Sequence, residues 1–411
     1  MKIGYACISL STDSRTSRGL IIKNFNYDNF ITPTEANLTD LKLILENNVK
    51  NNIFMFRISS DIIPLGSHPI NNIKWWEIFK DKLEDAGKFI IENNIRVSMH
   101  PGQYTVLNSN TEEVVFKAIE DIEYHTLFLD SLKVDYTNKI ILHIGGVYGD
   151  KKTAMERFVL NFKKLSPSAQ KRLIIENDDK SYTVNDVLSI SKELNIPVVF
   201  DNLHHALNHE GDQDLQDIIK EVASTWKKVD GPMKFHYSDS SGSKRPGAHS
   251  KFVFTKNFLA YYEQVKGFDP DIMLEVKDKD ISAIKCIQCV SSVQKISTLY
   301  TMWAKYKYLV MEKDYKLYKE CSAMVTSKCT LIDFYEFIDA TLLLPLNEKN
   351  YTNTTYHIWG YLKNVATTKE RDRFNLYVTN KDFNEKFKLF VKKLSTKYDI
   401  KYLLDSYYFL Y

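Results

Sequence analysis

Strand and helix alternate about eight times over roughly the first 275 residues, which predicts a (β/α)8 TIM barrel with a C-terminal helical extension. Two further observations support that fold. Most of the expected strands stop on an ionisable residue, and beyond about Asp280 the alternation gives way to helices alone. The clearest strand is Leu173-Ile174-Ile175, an aliphatic run of the kind buried on both faces of a parallel sheet; it ends on Glu176, before a polar Asn177-Asp178-Asp179 turn.

The elements follow in order. Lys2–Cys7 reads as the first strand, and the chain from Ser9 to Arg18 as a polar loop. Leu38, Leu41, Leu45 and Val49 recur at helical spacing within Thr34–Lys50. Asn52–Ile58 is the second strand and leads into Arg57-Ile58-Ser59-Ser60-Asp61, with Pro64 and Gly66 breaking the chain before His68. A helix over Trp75–Asn93 precedes the third strand, Ile95–Met99, which runs into His100-Pro101-Gly102-Gln103-Tyr104. Helix Glu112–Leu132 leads to strand Lys139–Leu142 and His143-Ile144-Gly145-Gly146; helix Lys152–Leu165 follows and Pro167 closes it. After the Glu176 strand come helix Thr183–Leu194 and strand Ile196–Phe200, which ends in Asp201-Asn202-Leu203-His204-His205. Helix Leu215–Val229, strand Pro232–Phe235 ending in His236, the loop Gly247-Ala248-His249-Ser250, helix Phe254–Val265 and strand Asp271–Leu274 ending at Glu275 complete the pattern. The expected domains are 1–290, the barrel, and 291–411, a helical extension with interleaved Tyr and Lys that reads as amphipathic helices.

Composition bounds the function less tightly. Hydrophobic residues at 44% and charged residues at 26% are those of a globular protein, and a net charge of +3 neither demands nor excludes a nucleic-acid partner. Five cysteines lack framework spacing; Cys286 and Cys289 form a C-x-x-C without a second pair, so reduced thiols in a cytoplasmic protein are expected. Met1 leads at once into a strand, so no signal peptide is expected, and no apolar run approaches the roughly 20 residues of a membrane span.

In a TIM barrel the active site lies at the C-terminal ends of the strands. Here those ends read Tyr5, Ser59, His100, His143, Glu176, Asp201, His236 and Glu275, and six of the eight are metal-ligand types. With His204 and His249 nearby, the mouth offers more imidazoles and carboxylates than one cation needs and a set suited to three, with Glu176 placed to bridge two of them. So many ionisable groups on one face would be costly to desolvate without metal. Lys234 points to the same side of its strand as His236, placing its amine to contact a phosphate or, if modified, to act as a ligand. A three-metal cluster suits phosphate ester hydrolysis. Gln103 and Tyr104, side by side on a Pro-Gly-stiffened loop, suit entry into a duplex and stacking where bases have been displaced.

These segments together resemble the ultraviolet damage endonuclease family. The resemblance rests on Ser98-Met99-His100-Pro101-Gly102-Gln103-Tyr104, His143-Ile144-Gly145-Gly146, Glu176-Asn177-Asp178-Asp179, Asp201-Asn202-Leu203-His204-His205, Lys234-Phe235-His236 and Gly247-Ala248-His249-Ser250. Ile63-Pro64-Leu65-Gly66-Ser67-His68-Pro69 and Glu275 also match. It implies incision of duplex DNA immediately 5′ of pyrimidine dimers and some other lesions, leaving 3′-hydroxyl and 5′-phosphate ends, at a multinuclear site that works with manganese, with zinc or magnesium as alternatives. It implies that His100, His143 and Glu176 hold one ion, that Glu176, Asp201, His236 and Glu275 surround a second, and that His204 with His249 holds a third. It places His68 beside the first ion, Gln103 and Tyr104 at the lesion, and Tyr5 near the flipped nucleotides. The Trp359-Gly360-Tyr361 region is faintly similar to a small bacterial domain of unknown role. The expected partner is damaged double-stranded DNA, bound by a monomer. The rival readings are a metal-dependent sugar isomerase or epimerase, and a protein that holds damaged DNA without cutting it.

Overall fold

The computed structural model describes residues 1–211, 213–242, 247–381 and 385–411. Eight parallel strands close into a barrel in sequence order. They are β1 (Ile3–Ala6), β2 (Met55–Ile58), β3 (Arg96–Met99), β4 (Lys139–His143), β5 (Leu173–Glu176), β6 (Val198–Asp201), β7 (Lys234–Tyr237) and β8 (Asp271–Leu274). β1 pairs with both β2 and β8, which closes the ring. The register sets His143 opposite Glu176 and Asp201 opposite His236, so ligand-type side chains share one level of the barrel wall.

The two ends of the strands differ in kind. At their N-terminal ends, Arg96 bonds Asp271 at 2.9 Å, tying the starts of β3 and β8, and Lys139 at the start of β4 bonds Asp230, in the turn before β7, at 2.6 Å. Charges satisfied in this way serve the fold. The C-terminal ends hold the histidines and acids.

Several elements differ from expectation. β7 lies over Lys234–Tyr237, so His236 is held inside the strand. The first helix starts at Tyr27, where Asn26 caps it by accepting from the Asn29 N–H at 2.9 Å. It passes through Pro33 without ending, because burial of Phe30, Leu38, Leu41, Ile44 and Leu45 outweighs the missing hydrogen bond. The helix expected over Trp75–Asn93 is divided at Phe79 into Trp75–Ile78 and Lys80–Glu92. Pro167 opens a short helix, Pro167–Arg172: at the first helical position its missing N–H is no loss, and Ser166 caps the turn. A helix over Asn202–Leu207, which the sequence pattern did not mark, follows β6.

Residues 1–253 and 257–287 form one compact unit, and 254–256 with 288–411 a second. The second unit is helical and encloses a core of its own, in which Tyr308, Met311, Tyr351, Phe374, Phe387 and Val391 are buried together. No helix among the described residues is long and apolar enough to cross a membrane.

Candidate metal centre at the barrel mouth

Glu176 is the hub of the mouth. It is 1% exposed, at the end of β5. Its Oε1 lies 2.8 Å from His236 Nδ1 and 3.7 Å from His204 Nδ1, and its Oε2 lies 3.3 Å from His100 Nε2 and 3.8 Å from His143 Nε2. One carboxylate therefore meets four imidazoles from four elements. Burial alone would raise its pKa, but His236, His143 and the bond from His100 together hold it well below the usual carboxylate range.

Main-chain carbonyls orient three of the rings. Nδ1 of His100 faces Pro101 O at 2.9 Å, Nδ1 of His204 faces Asn177 O at 3.0 Å, and Nδ1 of His249 faces Glu275 O at 2.7 Å. A carbonyl only accepts, so Nδ1 carries a proton in each ring and Nε2 is the nitrogen left to face a ligand. For His100 that nitrogen meets Glu176 Oε2, and for His249 it meets Glu275 Oε2 at 3.8 Å. Lone pair against carboxylate is repulsive unless a proton or a cation lies between. Further, among the described residues His236 Nε2, His143 Nδ1 and Asp201 Oδ2 are buried without hydrogen-bond partners, an arrangement that costs about 1–3 kcal/mol per group when nothing satisfies it. The donor set fits hard or borderline divalent cations. His100, His143 and Glu176 offer ligand atoms within 4.8 Å of one another, as do Glu176, Asp201 and His236, and Glu176 belongs to both groups.

The asparagines after two of the strands hold this geometry. Asn177 Nδ2 donates to Asp201 O at 3.1 Å and its Oδ1 accepts from the Asp201 N–H at 2.9 Å. Asn202 does the same for Ser238, at 3.2 and 2.9 Å. Each side-chain amide extends the ladder between neighbouring strands beyond its last backbone bond. Asp201 Oδ1 in turn accepts from the His204 N–H at 2.7 Å, capping the short helix that carries His204. Burial pushes the Asp201 carboxyl up to about 6, with Glu176 and Glu275 adding to it against His204 and His236. Burial also takes His143 down to about 4, so it is neutral and ready to ligate.

Two residues at the mouth stand out electrostatically. Lys234 is fully buried, its Nζ has no hydrogen-bond partner among the described residues, and burial holds its pKa well below that of an ordinary lysine. Arg57, which the pattern of strand ends did not single out, bonds Glu275 through Nη1. Its signal was a charged residue within the otherwise apolar Met55-Phe56-Arg57-Ile58. Burial would raise the Glu275 pKa, but Arg57 and His236 carry it well below the usual range.

Above these residues lies a cleft of about 810 Å³ lined by His100, Gln103, Tyr104, His143, Lys180 and His204, among others. Tyr104 is 84% exposed beside it. A second cleft, of about 610 Å³, is lined by Arg57, Lys180, His249, Glu275, Lys277 and Lys279, among others, and shares Asp179 and Lys180 with the first.

The remaining expected residues make contacts of a different kind. His68 sits in the turn after β2, where its Nδ1 accepts from the Ile70 N–H at 3.1 Å, and none of its hydrogen bonds or ion pairs reaches the cluster. Nothing among the described residues joins His204 directly to His249. Tyr5 is a correction. It has no exposed surface, its hydroxyl donates to Asn48 Oδ1 at 2.8 Å, and its ring packs edge-on against Phe56, so its side chain faces the first helix and is closed to nucleotides.

Comparison with known proteins agrees with this architecture. The family model for UV-endonuclease UvdE matches residues 1–307, and that for Protein of unknown function (DUF1722) matches 307–411. A protein named UV DNA damage endonuclease from Clostridium perfringens (strain 13 / Type A) is 50% identical over 412 residues, covering 99% of both chains. One of the same name from Bacillus cereus (strain G9842) is 33% identical over 296 residues, 69% of this chain and 93% of its own. The crystal structure of SacUVDE is 41% identical in sequence, with a TM-score of 0.67 over 70% of this chain and 96% of that one. Barrel, ligand set and these matches together make the chain a member of the UV damage endonuclease family.

Proposed function

We propose that this chain is a metal-dependent DNA repair endonuclease. It nicks duplex DNA immediately 5′ of ultraviolet photoproducts, namely pyrimidine dimers and 6-4 photoproducts, with abasic sites as a further substrate, and leaves 3′-hydroxyl and 5′-phosphate ends. The observation that carries this reading is Glu176: one buried carboxylate shared by two ligand groups beneath a cleft that also bears Gln103 and Tyr104. Residues 1–290 are the endonuclease domain and 291–411 an extension. The protein acts as a cytoplasmic monomer on damaged double-stranded DNA.

The mouth would hold three divalent cations, with manganese preferred over zinc or magnesium, and such ions would supply hydroxide near neutral pH and neutralise phosphate charge. His100, His143 and Glu176 would hold the first; Glu176, Asp201, His236 and Glu275 the second; His204 and His249 the third. Glu176 would serve both of the first two, and its low pKa keeps it ionised for that role. Lys234, whose burial lowers its pKa well below that of an ordinary lysine, is available for covalent modification into a ligand or for contact with a phosphate. His68 acts from beside the first group. Gln103 presents an amide donor and acceptor, and Tyr104 an exposed ring, to bases displaced at the lesion. Lys180, Lys277 and Lys279 line the second cleft and meet the sugar–phosphate backbone.

The deciding experiment is a nicking assay on ultraviolet-irradiated supercoiled plasmid, with and without manganese. Conversion of irradiated but not intact plasmid to the open circle, dependent on the metal, is the expected result. Damage-selective binding with no nicking at any metal concentration would favour a binding protein instead.

A further inference from the structure

The helical unit carries an aromatic surface that the endonuclease reading does not use. Tyr361 and Tyr402, 41% and 38% exposed, stack with ring centroids 5.6 Å apart and planes 17° apart. Tyr315 and Tyr318 stack at 5.6 Å and 13°. The two pairs form one cluster. Burial raises the Tyr318 phenol, and Tyr315, Tyr402 and Tyr361 are near enough to raise it further; Tyr308 donates its hydroxyl to Tyr361 at 3.3 Å. In the interior of the same unit Tyr306 meets Phe334, Tyr335 and Tyr407 edge-on, at 73°, 81° and 90°. Edge-on rings knit a core together, whereas near-parallel rings at a surface offer flat faces outward.

Cations accompany these faces. Lys307 Nζ lies 4.6 Å from the Tyr402 ring centroid and 4.7 Å from that of Tyr308, and Lys319 Nζ lies 5.0 Å from that of Tyr315. Among the described residues neither lysine is paired with a carboxylate. Residues 291–411 hold 19 Lys and Arg against 13 Asp and Glu, while residues 1–290 hold 36 against 39. The positive charge of the chain is thus concentrated in the helical part. Stacked tyrosines alone are explained well enough as cover for the core below. The Tyr361 and Tyr402 rings, more than one-third exposed, and the ammonium groups over the faces of Tyr402 and Tyr315, without a carboxylate partner among the described residues, go beyond that, because nothing in a purely structural role calls for cations without counter-ions there.

We propose that this surface binds single-stranded nucleic acid, with unpaired bases stacking on Tyr361–Tyr402 and Tyr315–Tyr318 and phosphates meeting Lys307 and Lys319. Stacking and phosphate contact are common to DNA and RNA strands, and the two are told apart by the test. The site requires neither metal nor incision and stands independently of the barrel's activity.

The test uses the full chain in EDTA, with fluorescence anisotropy of labelled oligothymidylate and oligouridylate long enough to span a site of about 4–16 nucleotides. The parent chain binds at low salt. Tyr361→Ala with Tyr402→Ala weakens binding about tenfold or more, while Tyr361→Phe with Tyr402→Phe, which keeps the rings, stays within about twofold. Lys307→Gln flattens the salt dependence by about 0.7 in log–log slope for each phosphate left without its ammonium partner. Far-UV dichroism and cooperative melting confirm that each variant is folded. Binding of neither strand by the parent, undiminished binding by the alanine pair, or equal losses in the alanine and phenylalanine pairs would each overturn the proposal; binding of either strand with the expected losses supports it and tells DNA from RNA as the source.

Discussion

The guanidinium of Arg57 bonds the carboxylate of Glu275 across β1, the strand that lies between β2 and β8. The span is open because β1 ends at Ala6, registered opposite Arg57 and too small to intervene. Without a cation at the mouth, Arg57 is the fixed positive charge on Glu275. Arg57→Gln is therefore expected to destabilise the chain by about 3 kcal/mol in EDTA, the scale for leaving a buried charge unpaired. The loss shrinks when manganese is present, because bound metal takes over the compensation. Thermal unfolding of parent and variant with and without the metal measures both; equal losses in the two conditions would remove Glu275 from the ligand set.

Glu176→Gln removes the charge shared by both ligand groups but keeps the side chain's shape. Nicking of irradiated plasmid should fall by about 10²–10³ or more, the scale for removing one preorganised electrostatic interaction, while the far-UV spectrum is unchanged. Full activity in that variant would refute the bridging role.

Tyr104 stands 84% exposed with Gln103 beside it at the edge of the larger cleft. Gln103→Ala with Tyr104→Ala should weaken binding of a dimer-containing duplex about tenfold or more, as expected from roughly 1–3 kcal/mol per stacked base, and leave intact duplex nearly unaffected. Gel-shift titrations on the two duplexes decide. Equal losses would point to a backbone contact.

Loading with metal should release protons. Burial lowers the His204 pKa, but Asp201, Glu176 and Glu275 outweigh it and raise the group to about 9, whereas Asp201 itself is up at about 6. A cation selects the unprotonated form of each. At pH 7 binding thus displaces the His204 proton and a smaller fraction of the Asp201 proton. Between pH 7 and 9 the competing proton on His204 is lost as pH rises, so the apparent affinity for manganese rises through that window and levels off near pH 9. Calorimetry in buffers of different ionisation enthalpy counts the protons; none released, or affinity falling with pH, would contradict the assignment.

Asn177→Ala removes both bonds to the Asp201 backbone without touching a ligand atom. Removing two buried bonds is expected to cost about 2–3 kcal/mol, with metal affinity reduced along with stability. Affinity at the parent's value in a destabilised variant would confine Asn177 to a structural role.

The sequence made the barrel legible because short, mostly apolar runs recur between helices, and ligand-type residues lie at or beside the C-terminal ends of six of them: His100, His143, Glu176, Asp201, His236 and Glu275. What it hid follows from periods too short to see. Side chains along a strand alternate faces, so a one-residue error in where β1 ends turned Tyr5, which packs on Asn48, into a rim residue. The same alternation could have found Arg57, which shares a face with Ser59, the residue taken as the rim of β2. The helix over Asn202–Leu207 is six residues long and gives no periodic signal. The proton positions on His100, His204 and His249 depend on backbone carbonyls, whose locations no sequence pattern carries.

Asp201 has two oxygens with different duties: Oδ1 finishes the turn that carries His204, and Oδ2 faces the mouth unpaired. A pull on one is felt by the other. Fraying of six residues and emptying of the rim are consequently one equilibrium, so a stripped chain is expected to open first at 202–207, where proteolysis would register how full the mouth is.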